Sequence, residues 1–308
     1  MAGYDRARGA IRCSRYSIFF YSNKINVQEQ QHDWDLVIES KSSLFDLKLK
    51  DVWRYRDLLL LFVRRDFVTF YKQTILGPLW FIIQPLLTTI TFTIIFGRIA
   101  GIATDGTPQT IFYMSGIIIW NYFSQCLTDV SAVFTTNAAM FGKVYFPRLI
   151  MPLKIVLSNL IKFGVQYLIF IIFLLYYIYT GEVKPNAWVL LTPYLIVLMA
   201  GMSLGIGMII SSMTAKYKDL RFLINFGVQL IMYVTPIIYP LSKIPSNYLP
   251  YYKLNPLVGL FEAFKHGYLG TGSFSLHDLW YSTLVSIGLL VVGTLIFNKV
   301  EKNFMDTV

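Results

Sequence analysis

Six stretches of this 308-residue sequence contain no Asp, Glu, Lys or Arg: 77–97, 106–128, 163–181, 185–215, 222–242 and 279–298. No other feature constrains the fold as much. A helix needs about 20 apolar residues to cross the hydrocarbon of a bilayer, and each run is about that long or longer. In lipid the backbone must satisfy its own polar groups, which leaves helices or a closed barrel, and barrel strands alternate apolar and polar residues. These runs are continuously apolar and predict helices. The expected fold is therefore an all-α polytopic membrane protein with six transmembrane helices, at about 79–98, 111–135, 158–180, 188–212, 222–240 and 279–298. Composition agrees: 55% of residues are hydrophobic, 14% are charged and the mean hydropathy is +0.54. Soluble domains carry about 25% charged residues. A disordered chain, a coiled coil and an ordinary water-soluble enzyme are excluded.

The net charge of +10 would suit a nucleic-acid binder. Here the basic residues flank apolar runs and form no tract, so nucleic acid is not an expected partner. Their distribution instead orients the chain by the positive-inside rule. Residues 1–78, the connectors 136–154 and 213–221, and the C-terminal tail hold 21 of the 27 Lys and Arg, against five on the other side. The rich side is expected to be cytoplasmic, with both termini inside. Residues 1–45 are polar and mixed, and Arg6, Arg8, Arg12 and Arg15 precede the apolar patch 16–21. That patch is shorter than the 7–15 residues of a secretory signal core, so the segment reads as a cytoplasmic, partly disordered extension. Cys13 and Cys126 are far apart and show neither metal nor redox spacing. They read as free thiols, and no metal site is expected.

Several segments carry more specific signals. In 56–73, polar residues recur at Asp57, Arg64, Arg65 and Lys72, placing a charged stripe on one helix face. This predicts an amphipathic helix in the headgroup layer ahead of Gly77-Pro78, although a first span that starts early fits the same pattern. The connector 136–152 is short, aromatic and basic, and suits either docking on a soluble partner or plain linkage. Gly142-Lys143 is not a phosphate loop, because Asn137 and Val144 break the GxxxxGK[ST] pattern. Asp129 and Lys162 fall inside spans, near their inner ends. They are functional candidates or residues snorkelling to the interface. Phe163, Tyr167, Phe170, Phe173 and Tyr177 share one face of the third span. They could form a channel wall for sugar rings, or simply pack against lipid and helices. Gly201-x-x-x-Gly205, with Gly207, is a helix-packing signal. Residues 241–278 read as an external segment with re-entrant or outer-surface gate helices, in which Glu262, Lys265 and His266 form the polar side of an amphipathic helix.

Five segments in order resemble one family. RRDFVTFYKQTILGPLWFIIQPL (64–86) is similar to the opening segment of the permease subunits of type-2 ABC exporters for O-antigen, capsule and teichoic acid polysaccharides. KVYFPRLIMPL (143–153) resembles their cytoplasmic coupling segment, AKYKDLRFL (215–223) their second cytoplasmic loop, and TPIIYP (235–240) and NPLVGLFEAFKHGYLG (255–270) their fifth span and outer gate. The resemblance covers about residues 46–308, the expected transmembrane domain. It implies a homodimer in a bacterial cytoplasmic (inner) membrane, bound to two ATP-binding subunits that hold ATP and Mg, with no cofactor in this chain. The substrate it implies is a lipid-linked glycan taken up from the inner leaflet. Lys143, Tyr145, Phe146, Pro147 and Arg148 would couple to the ATPase, with Tyr217, Lys218, Asp219 and Arg221 as a second contact. Arg64, Arg65 and Lys72 would hold the lipid pyrophosphate, and Asn255, Pro256 and Glu262 would belong to the outer gate. A type-2 permease for a drug or small lipid is the alternative. A membrane-embedded glycan transferase fits less well, because the external acids and histidines lack catalytic spacing. A secondary transporter would want paired intramembrane charges or inverted repeats, and neither is visible.

Overall fold

The computed structural model describes residues 49–72, 76–141, 146–217 and 219–304. The expected extension 1–45 lies outside these residues, as do Lys143, Tyr145 and Lys218. Every regular element among the described residues is helical. Two helices come first, α1 (Leu49–Arg54) and α2 (Arg56–Lys72). α2 packs Phe62 and Val63 inward and leaves Arg64 and Arg65 exposed, as the spacing of its polar residues predicts. Gly77-Pro78 then opens a helix running over Gly77–Ile99, whose centre is α3 (Trp80–Phe92). Proline suits a first helical turn, where its missing N–H would have no partner. Pro85 interrupts the ladder further on. Thr88, Thr89, Thr91 and Thr93 each donate their hydroxyl to the carbonyl four residues earlier, at 2.8–2.9 Å, so these polar groups are satisfied without water.

α4 (Gln109–Ser131) lies at the centre of the bundle, with Ile111 to Trp120 all buried. The second span was expected to continue to 135. Instead the helix breaks at Ala132 and resumes as α5 (Val133–Phe141). α6 (Ile150–Tyr179) starts eight residues before the expected third span, with Pro152 in its first turn. α7 (Thr192–Thr214) follows a 3-10 turn at Ala187–Leu191. α8 (Leu220–Val234) has 15 residues and is roughly 22 Å long, short of a hydrocarbon core of about 30 Å. The fifth span was expected to reach 240, but Pro236 disfavours helix at Thr235, which is extended at φ −95°, ψ 142°. The buried residues Thr235 to Ile238 continue the path without helix. α9 (Leu249–Lys253) and α10 (Pro256–Leu269) precede the last long helix, α11 (Leu276–Phe304).

Among the described residues, four helices are long and apolar enough to cross a membrane: Gly77–Ile99, Ile150–Tyr179, Ala187–Thr214 and Leu276–Glu301. α4 has the length, at 23 residues, but carries Asn121, Ser124, Gln125, Thr128 and Asp129 within its turns. Its neighbours α3, α6 and α7 shield it. The closest helix pairing is α7 with α11. A β-carbon at Gly205 would stand 2.6 Å from the Leu289 carbonyl carbon, and Gly293 meets the Gly205 backbone from the other helix. Backbones this close require glycine.

The polar connectors collect at two ends of the bundle. At one end Lys154 pairs with Asp66 (2.7 Å), Arg148 donates to the Glu301 carbonyl (2.8 Å), and Thr214 donates to the Ser131 carbonyl (2.7 Å). At the other, the Asn186 side chain donates to the His266 carbonyl (2.9 Å), Ser242 to Asp105 (2.7 Å) and Lys253 to Asp278 (2.7 Å). The segments predicted to share the cytoplasmic side thus do meet at one end.

Candidate functional site

The first region is the end where α2, α5, the connector 146–149 and the tip of α11 converge. The Phe146 ring is buried between Phe62 of α2 (6.0 Å) and Phe141 of α5 (5.9 Å). The Arg148 guanidinium, 8% exposed, lies over the Phe141 ring (5.4 Å) and near the Glu301 carboxylate (3.8 Å). Burial draws its pKa down and Glu301 opposes that. Phe146 and Arg148 therefore face the chain's own interior, whereas Tyr217, Asp219 and Arg221 are exposed. Pro147 is half-buried between them. Of the basic stripe, Arg64 and Lys72 are exposed, and Arg65 is held by Asp66 (3.2 Å) above the Phe62 ring (5.0 Å).

The second region is the opposite end. The Asn255 side chain caps α10 by accepting from the Leu257 N–H (3.1 Å) and also donates to Thr235 (3.3 Å). The Pro256 carbonyl accepts from Ser282 of α11 (2.6 Å). Of the two expected placements, re-entrant or outer-surface, the outer-surface one with a wet polar side does not hold. Apart from Pro256 and His266, every residue of α10 is buried. Its buried Glu262, Lys265 and Tyr268 have internal partners, which is what permits burial. Glu262 accepts from the Ser273 N–H (3.0 Å). Lys265 donates to the Pro236 carbonyl (2.6 Å) and sits 3.8 Å from the Phe112 ring centroid. The His266 ring stacks on Phe274. Gly270, in the left-handed region at φ 70°, ends the helix.

The third region lies between α3, α4 and α6. Here the two intramembrane charges join one network. Gln125 Nε2 donates to Asp129 Oδ1 (2.9 Å), Asn159 Nδ2 to Asp129 Oδ2 (3.2 Å), and Lys162 Nζ to Asn159 Oδ1 (2.8 Å). Two adjoining cavities, of about 180 and 300 Å³, share Phe81, Asn159 and Lys162 as walls. The smaller extends past Ser158 to Asp66, and the larger is lined by Gln84, Asn121, Gln125 and Gln166. Trp80, Tyr122 and Phe163 supply its ring surfaces. Of the five aromatic residues predicted to share one face of α6, Phe163 lines this cavity and also packs on Tyr122 (5.3 Å). The others run into helix packing. Tyr167 hydrogen-bonds the Tyr268 hydroxyl, and Phe170 is buried against Phe264 and Tyr268. Phe173 and Tyr177 are half-buried against the same core. Gln84, Asn121, Gln125, Asn159 and Gln166 were missed in the sequence. The available signal was carboxamides spaced along otherwise apolar runs, which a search for charges passes over. Among the described residues, no three His, Cys, Asp or Glu side chains group as metal ligands.

The family model for the ABC-2 type transporter matches residues 57–269, which include the whole third region, α2, α5 and the connector of the first, and α10 of the second. The O-antigen export system permease protein RfbA of Klebsiella pneumoniae is 28% identical over 252 residues, covering 81% of this chain and 94% of that protein. The polysialic acid transport protein KpsM of Escherichia coli is 25% identical, over 75% of this chain and 90% of its own length. The capsule polysaccharide export inner-membrane protein CtrC of Neisseria meningitidis is 20% identical, over 77% and 89%.

Proposed function

The chain belongs to the ABC-2 type transporter family, and from that premise we propose that it is the membrane-spanning subunit of an exporter for a lipid-linked polysaccharide. The observation that carries this reading is that nearly full-length relatives from three genera are named for O-antigen export, polysialic acid transport and capsule polysaccharide export. The working unit is two copies of this chain with two ATP-binding subunits in the bacterial cytoplasmic membrane. ATP and Mg belong to those subunits, because the chain's one Gly-Lys pair lacks the phosphate-loop pattern. Six crossings are completed by α4, whose Asn121, Ser124, Gln125 and Asp129 line the two cavities shared with α3 and α6, and by α8 with the stretch 235–240. Both termini are cytoplasmic, in keeping with the positive-inside count, and 1–45 precedes the transmembrane domain 46–308.

The coupling contact is made by Lys143, Tyr145 and Pro147 with Lys218 and the exposed Tyr217, Asp219 and Arg221. Phe146 and Arg148 act as positioning residues. Their contacts with Phe62, Phe141 and Glu301 tie the connector to α2 and α11, so a push from the ATPase is delivered to both. Arg64 and Lys72, exposed on α2 at the same end, are placed to attract a pyrophosphate at the inner leaflet. Asn255, Pro256 and Glu262 join α8, α10 and α11 at the outer gate. Deleting the gene in its native bacterium and restoring it on a plasmid tests the reading. Loss of a surface polysaccharide with intracellular accumulation is expected, with recovery on complementation. Unchanged surface glycan would refute it.

A further inference from the structure

We infer that the cavity between α3, α4 and α6 is a sugar-binding site, in which carboxamides hold hydroxyls and aromatic faces stack on the ring C–H groups of the carried chain. The inference rests on the export reading above and gives it a place in the molecule. Polar side chains at membrane depth are costly and need partners or a use. The internal network accounts for part of them, since both Asp129 oxygens are taken by Gln125 and Asn159. It does not account for Gln166 Oε1 or Ser158 Oγ, which are buried without a hydrogen-bond partner among the described residues. Lys162 spends one donor on Asn159, and an ammonium has three. These unused donors and acceptors lie on the walls of the two adjoining cavities.

The ring surfaces specify the chemistry further. Trp80, Phe81, Tyr122 and Phe163 line the larger cavity beside Gln84, Asn121 and Gln166. The face of an aromatic ring is electronegative and attracts weakly positive C–H groups, while carboxamides both donate to and accept from hydroxyls. An apolar lipid tail would leave the amides unpaired. A free anion would meet Asp129 as well as Lys162. A neutral polyhydroxylated ring satisfies both sets of groups. At about 300 Å³ the cavity has the size of a small ligand pocket, suited to a short portion of a chain.

The test uses the full chain assembled with its ATPase in producing cells. A photoreactive benzoylphenylalanine replaces Gln166 or, on the exposed side of the same helix, Leu168. After irradiation, carbohydrate on the purified chain is detected by periodate oxidation and hydrazide labelling. An adduct at 166 and none at 168 is expected. No carbohydrate at 166, in cells whose export requires this chain, overturns the site and leaves the exporter reading standing. Surface glycan that does not depend on the chain overturns both. Separately, Gln166→Leu removes an oxygen that has no partner to lose, so folding is retained. Export should fall about tenfold, the scale of one lost hydrogen bond of 1.4 kcal/mol, while Leu168→Ala exports normally. Equal export by the two variants overturns the site.

Discussion

Lys154 and Arg148 are six residues apart, both are buried, and each meets an acid from a different helix: Asp66 of α2 and Glu301 of α11. The pairing makes single substitutions unequal. Asp66→Ala leaves the buried Lys154 ammonium without its carboxylate and should cost about 3 kcal/mol. Lys154→Ala leaves a carboxylate that still reaches water, and should cost less. Thermal unfolding of the detergent-solubilised protein checks the order, and a reversed order would mean that the pair is not the buried contact described. At this scale the sequence was partly legible. Asp129 and Lys162 stood out because charge inside an apolar run is rare. The carboxamides around them did not, because Asn and Gln occur in connectors as often as in sites, and only convergence from three helices gives them meaning. Lys265 misled for a related reason. Its spacing with Glu262 matched a wet helix face, while its partner is a backbone carbonyl at Pro236 that no side-chain pattern announces.

At the scale of elements, the apolar runs located the long helices well, since length and hydropathy are local properties. α7 against α11 was legible as Gly201-x-x-x-Gly205, and the structure supplies the partner. Gly205→Leu should force the helices apart and abolish recovery of monodisperse protein. Gly164→Ala, where an added β-carbon meets nothing within 4 Å, should be recovered normally. Size-exclusion chromatography in detergent separates the two. The ends of α4 and α8 were less legible. Ala132 breaks a run with no proline or glycine nearby, whereas Pro236 does carry the signal that stops α8. Phe146 belongs to this scale too, because its ring holds two helices at once. Phe146→Ala should destabilise by about 3 kcal/mol and also weaken co-purification of the ATP-binding subunit. Ile161→Ala, on the exposed side of α6, should do neither. If Phe146→Ala lost stability but kept the subunit fully bound, the connector would not be the transmitting element.

For the whole molecule, the two-ended distribution of polar connectors makes a topological prediction. With Cys13 and Cys126 replaced by Ser, a cysteine introduced by Asp105→Cys should react with an impermeant thiol reagent added to intact cells. One introduced by Tyr217→Cys should react only after the membrane is opened. Labelling in the opposite sense would invert the orientation. The sequence alone determined that the chain lives in a bilayer, that it is helical there, and which connectors share a side, because transfer from water to lipid acts on each segment separately. Tertiary structure alone decided that α10 is buried, that the aromatic face of α6 mostly serves packing, and that amides from three helices surround one cavity. Those outcomes depend on which groups meet across tens to about a hundred residues of chain, and hydrophobicity, which has no direction, does not specify the meeting.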